Sequence, residues 1–256
     1  MPKGKDKNVI IFGASQGIGE ALAYEYALHE TNLVLLSRNV EAIQRIAEEI
    51  DSKGGKAFYK KCDVSLFEDV RRGIEYSLNK LGTIDIAIIN AGVSIKQWMK
   101  DFKSEEFKQV VQINTFGIAH ALECLIPVMK KQGYGKIAGV TSLADVRGYP
   151  GSSGYSASKA AASRLLESAR VELKKFNIRV ITVKPGFVKT AMTAKNEFIM
   201  PFMVQPSKAA RIIRRGIAKG KSIVQFPLGT VVLTKIAKYA PNWIYDPALR
   251  VLRKDV

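Results

Sequence analysis

A tyrosine and a lysine, Tyr155 and Lys159, stand four residues apart in a helix-forming segment of this sequence. Residues with this spacing lie on one face of a helix, so both side chains can point to the same place. A cation about 5 Å from a phenol contributes roughly 3 kcal/mol at an effective dielectric of about 20, which lowers the usual pKa of about 10 by about two units. The pair therefore predicts a tyrosine that transfers protons near neutral pH. The alternative is a core tyrosine beside a lysine that extends into solvent.

A serine, Ser142, ends the apolar segment KIAGVTS, 13 residues before Tyr155. We expect its hydroxyl to donate a hydrogen bond to a substrate oxygen. Tyr155 would then exchange a proton with that oxygen while hydride moves to or from a nicotinamide. Lys159 would in addition bind the hydroxyls of the ribose. These residue types predict a carbonyl reductase or an alcohol dehydrogenase.

Asn114 lies between apolar residues inside a predicted helix, in FKQVVQINTFGIAHAL. Asparagine disfavours helix interiors because its amide competes for backbone groups, and a local kink is therefore expected here. Two roles stay open. Asn114 either holds a water molecule that contacts Lys159 or is a polar residue satisfied within the helix.

A glycine-rich turn, GASQGIG, directly follows the first apolar segment, NVIIF. Glycines let the chain turn tightly and let backbone N–H groups approach a pyrophosphate at the positive end of the next helix. Alone the turn is a weak indication, because such turns are common between strands and helices. The residues predicted to bind a dinucleotide here are Gly13, Ser15, Gln16, Gly17, Ile18 and Gly19.

Three further apolar segments end in groups that suit the rest of a dinucleotide. Ser37 and Arg38 offer a hydroxyl and a fork of donors for the 2′-phosphate of NADPH, where NAD would require a carboxylate. NADP(H) is therefore favoured over NAD, and the alternative for Arg38 is a solvated surface charge at a strand end. Asp63, followed by Val64, either binds the adenine amine or caps a turn. The next segment ends in small residues that permit close approach of a ligand or a loop, namely Asn90, Ala91 and Gly92.

The apolar pattern predicts a scaffold that brings these groups together. Short segments rich in Val and Ile, such as NLVLLS and IDIAIIN, alternate with longer amphipathic segments. This alternation predicts parallel strands covered by helices on both faces, which is a doubly wound α/β fold. Because no linker or repeat is evident, residues 1–256 are expected to form a single domain. Ligands bind such sheets at the carboxyl ends of the strands, where the residues above are located.

The formal net charge is +17, and residues 184–256 hold 14 Lys and Arg against 3 Asp and Glu. This charge favours an acidic partner such as a phosphorylated cofactor, an acyl carrier, anionic lipid or nucleic acid. Nucleic acid is disfavoured because the sequence contains no known nucleic-acid-binding motif. No metal site is expected, since His120 and Cys124 share a helical face but His29 and Cys62 are on distant elements. Two cysteines, and apolar segments shorter than the roughly 20 residues of a membrane span, predict a cytoplasmic protein.

In combination, these motifs resemble the short-chain dehydrogenase/reductase family over roughly residues 7–190. The segments that carry the resemblance are GASQGIG (13–19), Asp63, NAG (90–92), Asn114, Ser142, YSASK (155–159) and PGFVKT (185–190). The resemblance implies a Rossmann-like, mostly parallel seven-stranded sheet, a nicotinamide cofactor and a homo-oligomer, either a dimer or a tetramer. It implies a catalytic tetrad of Asn114, Ser142, Tyr155 and Lys159, of which Tyr155 and Lys159 also contact the cofactor. Contacts on the nicotinamide side are implied for Pro185, Gly186, Val188 and Thr190.

Two positions depart from the family pattern. Phe12 replaces a threonine before the first glycine of the turn, and Ile89 replaces an asparagine before NAG. We expect apolar packing at this place instead of a polar contact between the first and fourth strands. Cofactor binding should persist, because backbone groups make most of the phosphate contacts.

After Thr190 we expect a substrate lid over about residues 187–206. Its apolar residues either cover an apolar substrate or pack against the domain or a second subunit. They are Phe198, Ile199, Met200, Phe202, Met203 and Val204. A basic C-terminal extension over about residues 228–256 interleaves Lys and Arg with aromatic residues. It either contacts an anionic membrane or an acidic carrier, or keeps its charged face in water.

Together these features predict an NADP(H)-dependent enzyme that interconverts a ketone or aldehyde and an alcohol. An apolar or lipid-like small molecule is the expected substrate, loosely as in the 3-ketosphinganine reductases of this family. One alternative is a reductase of 3-oxoacyl-carrier or other small carbonyl substrates. Another is a protein that binds the cofactor with little turnover.

Overall fold

The computed structural model describes residues 7–195 and 200–252, and its central element is a sheet of seven strands. The strands are β1 (Asn8–Phe12), β2 (Asn32–Ser37), β3 (Lys56–Lys61), β4 (Ile86–Ile89), β5 (Gly135–Val140), β6 (Ile178–Pro185) and β7 (Ile223–Phe226). They lie in the order β3-β2-β1-β4-β5-β6-β7, and each neighbouring pair is parallel. The predicted doubly wound, Rossmann-like sheet is confirmed. Its strand order reverses between β1 and β4, which is where ligands bind such sheets.

Helices connect the strands and cover both faces of the sheet. Within the described residues they are α1 (Gly17–Ala27), α2 (Val40–Ser52), α3 (Phe67–Leu81), α4 (Ser104–Val111), α5 (Gly117–Gln132), α6 (Ser153–Glu172), α7 (Pro206–Ala218), α8 (Leu228–Tyr239) and α9 (Asn242–Leu252). The predicted basic extension thus forms two helices, α8 and α9, as far as the structure describes it.

Alternate residues of β1 pack into two separate cores, one on each face of the sheet. Val9 and Ile11 lie in one core, and Ile10 and Phe12 lie in the other. This explains why the strands are apolar at consecutive positions, since both faces of a parallel sheet are covered by helices. The two cores hold the strand ends in fixed positions.

The two departures from the family pattern meet in the sheet. Phe12 and Ile89 are register partners on β1 and β4, and both side chains are buried in the same core. Apolar packing therefore takes the place of the expected polar contact. A polar link remains one residue later, where Asn90 Nδ2 donates to the carbonyl of Gly13 at 2.9 Å.

The predicted helix that contains Asn114 is interrupted in its middle. Residues Gln112–Phe116 form a π-helical turn between α4 and α5, and Asn114 lies at its centre. Short π-helical turns often occur at functional sites, because the wide turn redirects one or two side chains. The local deviation predicted at Asn114 is confirmed.

The segment Ser104–Gln132 is by length and composition long and apolar enough to span a membrane. Its α5 portion packs in the core against the sheet, through Ile118, Leu122, Leu125 and Met129. A core helix has the same apolar composition as a spanning one, so this segment does not indicate a membrane span.

Candidate active site

One cleft at the carboxyl ends of the strands, where the strand order reverses between β1 and β4, gathers the predicted cofactor residues. Those that line it are Gly13, Ser15, Gln16, Gly17, Ile18, Ser37, Arg38, Asp63, Val64, Asn90, Ala91, Gly92, Tyr155, Lys159, Pro185, Gly186, Val188 and Thr190. Gly19 is the exception. It is buried behind the turn, and a Cβ there would lie 2.0 Å from the Gly13 carbonyl oxygen. Gly19 therefore lets α1 pack closely on the turn, and its predicted contact with the cofactor stays a prediction.

The glycine-rich turn gives the cleft a floor of backbone groups. Gly13 has φ +76°, and a Cβ there would lie 2.6 Å from Cα of Ala91. Only glycine permits both this conformation and this close approach. Helix α1 begins at Gly17, and its N-cap residue, Gln16, makes no side-chain capping hydrogen bond. The first-turn N–H groups are therefore not capped by that side chain, as a phosphate-binding helix end requires.

At the adenosine end of the cleft, Arg38 lies exposed at the rim. Its Nη1 is 3.7 Å from Oδ2 of Asp63, which is too long for a hydrogen bond and weak as an exposed ion pair. Asp63 uses its other oxygen to accept from the backbone N–H of Ser65 at 2.9 Å and from its hydroxyl at 2.7 Å. The turn-capping role of Asp63 is thus present. The hydroxyl of Ser37 donates to Ser15 at 2.9 Å, which ties the second strand end to the glycine-rich turn.

At the opposite end, α6 presents Tyr155 and Lys159 to the cleft. Lys159 is buried, and its Nζ donates to the carbonyl of Val140 at 2.9 Å, at the end of β5. The ammonium lies 5.8 Å from the centre of the Tyr155 ring. Ser142, two residues after β5, forms a hydrogen bond with the Tyr155 phenol. Its Oγ also accepts from the N–H of Ala144 at 3.1 Å, which fixes the position of the serine side chain.

Burial controls the protonation of both α6 side chains. It raises the pKa of Tyr155, the Ser142 hydrogen bond opposes this, and the carboxylate of Asp145 adds to the increase. Burial also lowers the pKa of Lys159 to about 8. The predicted lowering of the tyrosine pKa by the lysine is therefore wrong for this structure. Removal of the phenol from solvent is the largest cause of the increase.

Asn114 joins the loop after β4 to the helix that carries Tyr155. Its Oδ1 accepts from the N–H of Val93 at 2.8 Å, and its Nδ2 donates to the carbonyl of Val93 at 2.9 Å and to Ser158 Oγ at 3.0 Å. The Ser158 hydroxyl in turn donates to the Tyr155 carbonyl at 2.8 Å. A Cβ on Gly92 would lie 3.1 Å from both Asn114 Oδ1 and Lys159 Nζ. Asn114 is thus satisfied by two neighbouring segments and not by its own helix, and a water between it and Lys159 stays a prediction.

A buried carboxylate next to the site, Asp145, was not predicted from the sequence. Asp145 follows Ser142 by three residues, and its Oδ2 accepts from Lys184 Nζ at 2.6 Å and from the Ser163 hydroxyl. These contacts connect the Ser142 turn with α6 and with the end of β6. Position alone could have signalled it, because an acidic residue so near Ser142 lies close to the phenol. Its partners, Lys184 and Ser163, are distant in sequence, so no local pattern indicated these contacts.

The lid residues divide between core and surface. Val204 is buried and pairs with the chain around Val188, with N–H to carbonyl distances of 2.9 Å in both directions. Phe202 and Met203 are exposed, and Met200 is half-buried. Phe198 and Ile199 lie outside the described residues.

These features fit a dinucleotide. The exposed Arg38 guanidinium, the uncapped start of α1 and the Lys159 ammonium lie along one cleft, in the order of an adenosine phosphate, a pyrophosphate and a ribose. In the described ranges 7–195 and 200–252, no group of three or more His, Cys, Asp or Glu residues is arranged to hold a metal.

Comparison with known proteins agrees with this geometry. The family model described as short chain dehydrogenase matches residues 7–198. An uncharacterized oxidoreductase of Myxococcus xanthus is 33% identical over 247 residues, which is 96% of this chain and 98% of the relative.

Two solved structures add ligand information about similar proteins. The alcohol dehydrogenase of the archaeon Thermococcus sibiricus, complexed with 5-hydroxy-NADP, is 28% identical with a TM-score of 0.77, covering 86% of this chain and 94% of that one. A 7α-hydroxysteroid dehydrogenase complexed with NADH and 7-oxo glycochenodeoxycholic acid is 28% identical with a TM-score of 0.79, covering 86% and 92%. These neighbours include one with an NADP derivative and one with NADH.

Proposed function

The chain belongs to the short-chain dehydrogenase/reductase family and is an oxidoreductase of that family, and we propose that it interconverts a ketone or aldehyde and an alcohol with NADP(H). One observation carries the proposal. Tyr155, its hydrogen-bond partner Ser142 and the buried Lys159 meet at the strand ends, beside the glycine-rich turn.

The residues of the cleft divide the reaction among them. Bound in this cleft, NADPH would supply a hydride to the carbonyl carbon. Ser142 and Tyr155 bind the carbonyl oxygen, and the phenol gives up its proton as negative charge develops there. The raised pKa of Tyr155 suits this direction, because a neutral phenol is the form that donates. Lys159 orients the ribose, and Asn114 keeps α6 in register with the loop after β4.

The preference for NADP(H) is proposed from Arg38. Its guanidinium is exposed at the rim beside Ser37, and its contact with Asp63 at 3.7 Å leaves its donors available to a 2′-phosphate. The related structures contain NADH in one case and 5-hydroxy-NADP in the other, so cofactor choice depends on residues of this chain.

For the substrate we propose an apolar ketone. Met192, exposed at the nicotinamide side of the cleft, and the exposed Phe202 and Met203 of the lid supply apolar surface where the substrate enters. The related 7α-hydroxysteroid dehydrogenase was solved with 7-oxo glycochenodeoxycholic acid, which has a large apolar skeleton.

A panel of carbonyl compounds tests this function. NADPH oxidation is followed at fixed enzyme concentration with straight-chain ketones of increasing length, a keto-steroid, a 3-oxoacyl thioester and small polar ketones. Increasing kcat/KM with apolar area supports the proposal, whereas a preference for the thioester favours an acyl-carrier reductase. Tight NADPH binding without turnover of any compound would leave a cofactor-binding protein. We further propose a cytoplasmic homo-oligomer, which sedimentation and cell fractionation would test.

A further inference from the structure

Helix α8 carries a row of apolar side chains that face solvent. Leu228, Val232, Ile236 and Tyr239 follow each other at spacings of four, four and three residues, which places them on one side of the helix. Each is 48 to 78% exposed. Trp243 and Ile244 at the start of α9 are 77% and 46% exposed. We call these six residues the α8 surface.

The other side of α8 is fixed to the protein. Thr230 and Val231 are buried, and the helix packs on the turn after Ser142. Arg147 in that loop donates to the carbonyl of Ala240 at 2.9 Å and to Asn242 Oδ1 at 2.8 Å. The α8 surface is thus presented outward by a docked helix. Exposed apolar rows on anchored elements mark interaction sites.

Charge limits what can cover this surface. Lys235 and Lys238 flank the apolar row, and residues 184–256 hold 14 basic against 3 acidic residues. Joining two copies through α8 would bring these basic regions together, which like-charge repulsion opposes. An anionic bilayer instead attracts the lysines and accepts the apolar row.

The aromatic residues suit the same partner. Tyr239 and Trp243 combine an apolar ring with one polar group, and such side chains concentrate at membrane–water boundaries. We propose that the α8 surface docks on an anionic phospholipid bilayer, with the axis of α8 in the plane of the headgroups. This docking goes beyond the proposed reaction and does not depend on it.

The lid borders the same surface. Phe202 packs against Gly229 in the first turn of α8 while its ring stays more than half exposed. A docked protein would therefore hold the lid near the acyl chains. Only this last point, delivery of an apolar substrate from the bilayer, rests on the proposed function.

Vesicle flotation with the full chain tests the docking. We expect the protein to float with vesicles of phosphatidylcholine and phosphatidylserine and to remain below vesicles of phosphatidylcholine alone. The double variant Val232→Ser/Ile236→Ser should lose roughly tenfold or more in partition coefficient, because two aliphatic side chains that the bilayer would cover become polar. Lys235→Gln/Lys238→Gln should bind less and respond less to salt.

Matched controls separate docking from general hydrophobicity and from misfolding. Leu28→Ser/Leu66→Ser removes two exposed apolar side chains from elsewhere and should float like the unmodified protein. Circular dichroism and NADPH binding should be unchanged in all variants. Trp243 fluorescence should shift to the blue with anionic vesicles, and Trp243→Phe should remove that shift.

Three results would overturn the proposal. The first is that the protein does not float with anionic vesicles. The second is that Val232→Ser/Ile236→Ser floats as well as the unmodified protein. The third is that sedimentation shows a dimer, which the same double variant dissociates. The third would assign the surface to a second copy of the chain. Because flotation is independent of turnover, an inactive protein that floats would contradict only the proposed function.

Discussion

The cleft at the strand ends and the α8 surface use opposite arrangements of side chains. In the cleft region, Lys159, Asn114 and Asp145 are polar or charged and almost fully buried, and each has hydrogen-bond partners on other elements. On α8, apolar side chains face solvent at helical spacing. Burying a polar group destabilises the fold unless the group is hydrogen-bonded. Exposing an apolar group loses the stabilisation that its burial would give. Stability of the fold therefore explains neither arrangement. Changes in the cleft should therefore alter chemistry, and changes on α8 should alter where the protein binds.

The largest expected effect is that of Tyr155→Phe. Loss of the phenol proton should lower kcat about 1,000-fold, while the NADPH dissociation constant changes little, because proton transfer typically contributes 10²–10⁴-fold. Steady-state kinetics and fluorescence titration measure the two quantities. Tyr239→Phe on α8 is the control and should keep full activity. Retained turnover in Tyr155→Phe would reject the acid–base role.

Lys159→Met tests the cost of burying the lysine. The pKa of Lys159 falls from 10.5 to about 8 on folding, so the unfolded chain holds more protons than the folded one between these values. The contribution of Lys159 to the free energy of unfolding is therefore lowest below pH 8 and increases as the pH rises from about 8 to 10.5. At pH 7 the variant should be about 3 kcal/mol more stable than the original, and inactive.

Urea unfolding at several pH values measures this difference. The advantage of Lys159→Met should shrink steadily from pH 8 towards pH 10. Lys131→Met, which replaces an exposed lysine of α5, should show the same offset at every pH. A constant advantage for Lys159→Met would mean that burial does not perturb this lysine.

Asp145→Asn removes the carboxylate that Lys184 and Ser163 contact. Breaking a buried ion pair typically lowers the free energy of unfolding by 3–5 kcal/mol. Because Lys184 is partly exposed, we expect a loss of about 2 kcal/mol, measured by urea unfolding. The negative charge of Asp145 raises the pKa of Tyr155. If Tyr155 is the acid, the pKa seen in the pH dependence of kcat should therefore fall in this variant. Asp246→Asn on α9 is the control and should change neither. An unchanged kinetic pKa would show that Asp145 acts on folding alone.

Arg38→Ala tests cofactor choice. Loss of charge-assisted hydrogen bonds to a 2′-phosphate should raise the dissociation constant of NADPH roughly 30-fold and leave that of NADH almost unchanged. Isothermal titration of both cofactors measures the ratio, with Arg164→Ala, an exposed arginine of α6, as the control. Equal losses for the two cofactors would contradict the phosphate contact.

The smallest expected effect is on stability at α8. Ile236→Ser should change the free energy of unfolding by less than about 0.5 kcal/mol, whereas Leu166→Ala in the core should cost about 3 kcal/mol. A large loss in Ile236→Ser would mean that this side chain supports the fold, and the contrast between the two regions would fail.

The sequence was most informative where local pattern determines position. Alternating apolar segments predicted the sheet, and a parallel sheet brings strand ends together, so residues as distant as Gly13, Asp63 and Tyr155 could be assigned to one cleft. Asparagine in a helix interior indicated a local kink, because that residue disfavours regular helix, and the structure has a π-helical turn at this place.

What sequence could not supply was the environment of each group. The pKa of Tyr155 rises instead of falling because the extent of burial is a property of the packed structure. The partners of Asn114 on the loop after β4, and the pairing of Asp145 with Lys184, join segments far apart in the chain. The apolar row on α8 was visible as composition, but its outward orientation required the structure.

The contacts of Arg147 have a consequence for how the chain tolerates shortening. Its guanidinium stacks 4.0 Å from the centre of the Tyr245 ring, and the Tyr245 hydroxyl donates to the Gly148 carbonyl at 2.8 Å. Ending the chain before α8 would leave this loop without its partners, five residues from Ser142. The last two helices thus hold the loop next to Ser142 in place, and their removal would leave the position of that serine less fixed.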